Sequence, residues 1–250
     1  MAKQKAHNII VFDCETGGID KKNGLSAINH PITQIALVSI DGFSLKEIAR
    51  YSSFMKGKKE PMFESNNSEI VSNYVGYGLN QTYQYEAFDI TGTTIEKLER
   101  LGQDIKIVVN QIIEFFEESK SGSSFHKFIL GGHNVTYDIP FLQYAFKLCK
   151  KDLSKYVQGY YDAYGNFQPV FIDSQYLSRL KSTDEDDKHK LEIVANREGF
   201  DFSDAHDAMN DTLITAEILK KYILLLRSSG EGEVVSAGKF RDEFVFEFEY

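Results

Sequence analysis

The sequence predicts an α/β fold: a mixed five-stranded sheet, antiparallel where the chain opens and parallel later, with helices on both faces. Three observations predict it. Ile9-Ile-Val-Phe12 is a short apolar run that ends in acids, the mark of a buried central strand. A hairpin signal, Asp41-Gly42, separates two further strand-like runs. Beyond residue 104 helical and strand-like segments alternate, which is the order of an α/β domain.

The elements follow in order. After the first strand, Gly17-Gly18 and the polar stretch to Asn29 make a loop. Ile32 to Ile40 reads as the second strand and Tyr51 to Met55 as the third. Residues 57–95, rich in Asn, Ser, Gly and Tyr, show no clear period. Asp104 to Glu118 is a helix, with Ile105, Val108, Val109, Ile112, Ile113 and Phe116 on one face. Phe128-Ile-Leu130 is a strand that stops at Gly131-Gly132. Ile139 to Lys150 is a helix, with Pro140 tolerated in its first turn. Val170-Phe-Ile172 is the last strand, 183–190 a charged loop, and Leu213 to Leu226 an amphipathic helix.

The chain has 250 residues, 42% hydrophobic and 26% charged, enough to bury a sizeable core. One domain over 1–227 and an acidic–aromatic tail over 228–250 are expected. In the tail Phe244, Phe246, Phe248 and Tyr250 recur at period two. Such a segment is an edge strand folded back on the domain, or a peptide that docks on a protein partner. The longest apolar run near the C-terminus, Tyr222 to Leu226, is too short for a membrane span. A net charge of −9 argues against broad coating of duplex nucleic acid but leaves room for a local grip. Cys14 and Cys149 are too few for a disulfide framework or a zinc site, and the basic N-terminus is not a signal peptide. A cytoplasmic setting is the expectation.

Three segments carry chemistry: Phe12-Asp-Cys-Glu-Thr-Gly17, His133-Asn-Val-Thr-Tyr-Asp138 and His206-Asp-Ala-Met-Asn-Asp211. Composition alone gives about one Asp-x-Glu pair by chance, so the weight lies in context. On a strand, positions i and i+2 share a face, so Asp13 and Glu15 can share a cation while Cys14 points to the core. Carboxylates at the tip of a central strand call for a metal, since acids are rarely buried unpaired. Oxygen ligands suit Mg²⁺ or Mn²⁺. Four of them, Asp13, Glu15, Asp138 and Asp211, are enough for two ions, and two ions clamp both reacting oxygens of a phosphodiester. A histidine is the natural group to deprotonate water. Spacing alone does not choose between His133 and His206, since each precedes an Asp by five.

With these segments the chain resembles the DEDD 3′–5′ exonucleases of the DnaQ-like type, on the ribonuclease-H-like fold. Asp13-x-Glu15, Gly132-His-Asn-Val-Thr-Tyr-Asp138 with Ile-Pro-Phe-Leu142, and His206 with Asp211 match the family's three motifs in order. Ile90-Thr-Gly92, Ile172-Asp-Ser174 and Leu191-Glu-Ile193 match between them, and the likeness covers roughly residues 7–227. Asp207 stands where the tyrosine subclass has Tyr, so the likeness is to the histidine subclass, DEDDh. The resemblance implies that Asp13, Glu15 and Asp211 bind the first metal, that Asp13 bridges to the second, and that Asp138 completes the site. It implies His206 as general base, on a loop ahead of the last helix. It implies that backbone amides near Thr16 and Gly17 meet the 3′-terminal nucleotide, with Asn134 shaping the loop beside them. The chain departs from the family at Glu15-Thr-Gly-Gly18, at Gln34 where a Glu is common, and in a long stretch from Tyr51 to Ile90.

The implied activity is metal-dependent 3′–5′ hydrolysis of nucleic acid to nucleoside 5′-monophosphates, with single-stranded DNA as the preferred substrate. RNA, as for RNase T or oligoribonuclease relatives, is the alternative, as is a polymerase-associated binding subunit. His133 reads as structural, and Asp184 to Asp187 as a solvated charge run. Tyrosines cluster at 74–85 and 156–164, the second group beside Lys147, Lys150, Lys151 and Lys155. Basic and aromatic groups together suit single strands, although tyrosines also pack loops.

Overall fold

The structure is a computed structural model and describes residues 6–20, 26–120, 127–182, 188–202 and 207–228. Strand β1 (Ile9–Thr16) leads through a helical turn, α1 (Ser26–Asn29), to β2 (Ile32–Ile40) and β3 (Glu47–Phe54). Short strands β4 (Lys58–Lys59), β5 (Ile70–Val75) and β6 (Thr82–Gln84) precede helices α2 (Tyr85–Thr91), α3 (Ile95–Leu101) and α4 (Ile105–Glu118). Then come β7 (Ile129–Gly132), α5 (Asp138–Leu148), and a hairpin of β8 (Gly159–Tyr161) and β9 (Phe167–Pro169). Strand β10 (Phe171–Asp173) and helices α6 (Ser174–Lys181), α7 (Leu191–Glu198) and α8 (Ala208–Arg227) follow.

The main sheet has five strands in the order β10-β7-β1-β2-β3, with β1 at its centre. Strands β1, β2 and β3 are antiparallel neighbours, whereas β7 runs parallel to both β1 and β10. The mixed five-stranded sheet with helices on both faces is therefore as expected. Alternation along β1 sorts its side chains. Ile10, Phe12 and Cys14 face α4 and α5, within a core that holds Val108, Ile112, Phe116, Leu142 and Phe146. Ile9 and Val11 face α8, against Ala216, Leu219 and Ile223. Phe12, Phe116, Phe128 and Phe146 are fully buried, each contributing about 2–3 kcal/mol of transfer free energy.

Several boundaries move for physical reasons. Strand β3 begins at Glu47 rather than Tyr51, because an edge strand carries polar residues that hide its period. Helix α8 begins at Ala208 rather than Leu213, since the Asp207 carboxylate caps it by accepting from the Met209 and Asn210 amides. The segment without a clear period folds into a second sheet, β4-β5-β6, with its own core of Val71, Tyr74, Tyr83, Phe88 and Leu98. The tyrosine clusters divide. Tyr74 and Tyr83 are buried and Tyr156 stands 5.5 Å from Phe116, whereas Tyr160, Tyr161 and Tyr164 are exposed on the β8–β9 hairpin. That hairpin opens where Val157 bridges Phe128, ahead of β7, so it lies at the opposite end of the sheet from Glu15.

Arg227 closes α8 by donating to the Gly42 and Phe43 carbonyls. The 228–250 tail, apart from Ser228, lies outside the described residues, as do His206 and residues 183–187 of the charged run. Among the described residues no helix is long and apolar enough to cross a membrane.

Candidate metal centre and active site

Three carboxylates converge at the C-terminal end of β1. Asp13, Glu15 and Asp211 each offer an oxygen, and these oxygens lie within 4.8 Å of one another. The sheet's alternation explains two of them. Asp13 and Glu15 continue the face that starts with Ile9 and Val11, which is the face that α8 covers. Asp211 sits in the first turn of α8, where the Asp207 cap sets the start of the helix. Asp138 opens α5, is buried, and lies close enough to Asp13 to feel its charge.

The electrostatics call for a cation. Burial pushes the Glu15 carboxyl up to about 8, and the charges of Asp13, Asp211 and Asp207 push the same way. Lys97 of α3 opposes them weakly as the last contributor. Asp13 is raised by burial and then by Asp211 and Asp207, and Asp138 is raised by burial and by Asp13. These three acids, which resist ionisation alone, would ionise together around divalent cations. The donors are all carboxylate oxygens, which fits Mg²⁺ or Mn²⁺ rather than zinc. Cys14 lies on the opposite face, buried, its thiol raised by burial and the surrounding acids, and is no ligand in this arrangement.

The second segment is built as a rigid turn. Asn134 takes a left-handed φ of 59°, and the amides of Asn134 and Val135 both donate to the Asp173 carboxylate, at 3.0 and 3.1 Å. Asp173 also caps α6 through the Gln175 amide at 2.8 Å. The local sequence gives Asp173 no such role; only the adjacency of β7 and β10 creates it. His133 is structural in this setting. Its Nε2 donates to the His189 carbonyl at 2.8 Å, and its Nδ1 meets Ser174 Oγ at 2.8 Å. Burial lowers its pKa.

Beside Glu15 lies a cavity of about 440 Å³, walled by Thr16, Ile19, Ala87, Ile90, Asn134 and Tyr137. Tyr137 Oη meets Thr16 Oγ1 at 3.0 Å, and Thr16 Oγ1 donates to the Gly18 carbonyl at 3.1 Å. The hydroxyl of Tyr137 is pushed up to about 12, chiefly by burial. The Gly17 amide, read from the sequence as a nucleotide contact, donates to the Pro31 carbonyl at 2.7 Å. A larger cavity, about 1080 Å³, continues past Ile19 and Gln84 toward Asp20, Glu69 and Asp89.

Gln34 explains one departure from the family pattern. It pairs with Glu15 across β1 and β2, is buried, and donates its Nε2 to Asp207 Oδ2 at 3.0 Å. A glutamate there would face two carboxylates. No local signal in the sequence reveals this contact.

No protein-family model and no curated protein matches the chain. Solved structures do. Exonuclease I of E. coli, in complex with a dA16 oligonucleotide, matches with a TM-score of 0.59 and 18% identity, over 88% of this chain and 41% of that one. Exonuclease I from Methylocaldum szegediense matches with a TM-score of 0.59 and 19% identity, again over 88% of this chain and 41% of that one. The nuclease domain of 3′hExo, a DEDDh family member bound to rAMP, matches with a TM-score of 0.59 and 14% identity, over 93% of this chain and 98% of that domain. The chain spans about two fifths of the length of the exonuclease I chains. The likeness to DEDDh exonucleases read from the motifs thus holds at the level of the fold.

Proposed function

We propose that this chain is a metal-dependent 3′–5′ exonuclease that releases nucleoside 5′-monophosphates from single-stranded DNA. The observation that carries the reading is the convergence of Asp13, Glu15 and Asp211 within 4.8 Å, with buried Asp138 beside them. Asp13, Glu15 and Asp211 would hold divalent cations such as Mg²⁺, with Asp138 completing the site. When bound, the ions supply Lewis-acid stabilisation of the charge that develops on the phosphoryl group and its leaving oxygen.

The chain's own groups do the rest. The cavity between Thr16, Ile90 and Tyr137 receives the terminal nucleotide beside Glu15. Asn134 shapes the rim of that cavity. His206, next to the Asp207 cap, accepts a proton from water. The water oxygen bonds to phosphorus, the bond to the 3′-oxygen breaks, and that oxygen takes a proton from solvent as it leaves. The catalytic unit is assigned to 1–227. The solved neighbours support the reading in kind: an exonuclease I holds an oligonucleotide and the 3′hExo domain holds rAMP.

The test uses DNA and RNA strands of one sequence, each 5′-labelled, with Mg²⁺ or with chelator. A ladder shortening from the 3′ end, lost in chelator and faster on DNA, is expected. A faster RNA ladder would reassign the substrate to RNA. No shortening of either strand would overturn the enzyme reading.

A further inference from the structure

The Gly17-Gly18 pair and the long segment between β3 and α3 meet in one contact. The Gln84 amide donates to the Gly17 carbonyl at 2.7 Å. The Ile19 amide donates to Gln84 Oε1 at 3.0 Å, and Gln84 Nε2 reaches back to the Ile19 carbonyl at 3.4 Å. The glycines leave the room this requires. A Cβ on Gly18 would stand 2.8 Å from Gln84 Cδ and 2.6 Å from His30 Nδ1. A Cβ on Gly17 would stand 2.6 Å from the ring of Tyr83. Tyr83 is fully buried in the core of the second sheet, so the loop rests on a fixed base.

Gln84 stands at a joint between two walls. On one side it holds the loop that carries Thr16, Gly18 and Ile19. On the other it is the residue from which α2 starts, and α2 supplies Ala87 and Ile90 to the cavity beside Glu15. The second sheet is also stapled to the α1 turn, where Gln81 Nε2 donates to the Ala27 and His30 carbonyls at 3.0 and 2.9 Å. Two adjacent glycines lose more conformational freedom on ordering than any other pair. A bond that orders them before the ligand arrives removes that cost from binding.

We propose that Gln84 is a positioning residue for the terminal nucleotide, latching the 17–19 loop against α2 at the spacing that admits one nucleotide beside the carboxylates. The proposal rests on the nuclease reading above. It assigns the segment that folds as the second sheet to substrate selection, and it accounts for glycine at both 17 and 18.

The test compares wild type with Gln84→Ala and with Gln84→Met, which keeps the length and removes the polar atoms. Three quantities are read: the Kd for deoxyadenosine 5′-monophosphate in Mn²⁺, the KM for a short DNA strand, and the Kd for Mn²⁺ alone. Both variants are expected to raise the first two about tenfold, the effect of one to two lost hydrogen bonds, and to leave Mn²⁺ binding unchanged. Unchanged nucleotide Kd and KM in either variant would overturn the latch. So would a parallel loss of Mn²⁺ affinity, which would mark general damage. A wild type that neither binds the mononucleotide nor shortens DNA overturns the nuclease reading and this proposal with it. An active wild type with indifferent variants overturns the proposal alone.

Discussion

Replacing Asp173 tests how the turn that precedes Asp138 is held. The carboxylate accepts from three amides, those of Asn134 at 3.0 Å, Val135 at 3.1 Å and Gln175 at 2.8 Å, and the residue is buried. Asp173→Ala removes an N-cap, which costs about 1 kcal/mol. It also strips two charge-assisted bonds from the turn, at about 1.5 kcal/mol each. The expected loss is about 4 kcal/mol, a large share of a marginal stability. For a chain of this size that corresponds to about 8–16 °C in Tm. Asp173→Asn keeps the cap and one acceptor, so about half the loss is expected. Urea unfolding and calorimetry on wild type and both variants give the comparison. In Asp173→Asn the retained Oδ1 still accepts from Asn134 and Gln175 whereas Val135 loses its acceptor, so the turn should loosen and nuclease activity should fall while the protein remains folded. A Tm change below about 2 °C in Asp173→Ala would mean that the three amides find other partners without cost and that Asp173 does not hold the turn.

Three other outcomes are expected. In chelator the protein should lose stability as pH rises, because Glu15 titrates near 8 in the folded chain and near 4.5 when unfolded, so the folded state binds more protons between those values. Mn²⁺ or Mg²⁺ should abolish that slope, and a flat Tm between pH 5 and 8 in chelator contradicts it. Gln34→Glu should destabilise the metal-free protein by about 2 kcal/mol, since the new carboxylate replaces the bond to Asp207 and faces Glu15, and low pH should restore stability; thermal melts at neutral and acid pH decide. Lys150→Glu with Lys151→Glu should raise the KM for strands of about 16 nucleotides and leave trinucleotides unaffected. The two lysines follow α5, whose 11 residues carry the chain about 16 Å away from Asp138; an unchanged KM on long strands makes them ordinary surface.

Much of the site was legible because it lies on elements with strong local signals. Strand β1 has four apolar residues before its first acid, so its burial and its alternation were both readable, and Asp13, Cys14 and Glu15 sort as alternation requires. Helix α4 shows an unbroken apolar stripe. Asp211 falls inside a helix that starts directly after Asp207, as the five-residue spacing required. The second sheet was not legible. Its strands run as short as two or three residues, Lys58–Lys59 and Thr82–Gln84, and Asn73 interrupts β5 with a φ of 61°. No periodicity survives over such lengths. The contacts that stiffen the site join distant positions: Gln34 to Asp207, Asp173 to Asn134, Gln84 to Ile19. Each depends on strand order or on the placement of a whole subdomain, and neither is written in a local pattern.

The most direct measurement is the effect of Glu15→Gln, which keeps the shape of the side chain and removes its charge. Wild type and variant would be titrated with Mn²⁺ by calorimetry and then given a 5′-labelled single strand. Wild type is expected to bind Mn²⁺ and shorten the 3′ end, and the folded variant to bind Mn²⁺ at least tenfold more weakly (at least about 1.4 kcal/mol) and leave the strand intact. A variant that binds Mn²⁺ as wild type does, or that shortens the strand at the wild-type rate, would show that Asp13, Glu15 and Asp211 are not the metal centre of this protein.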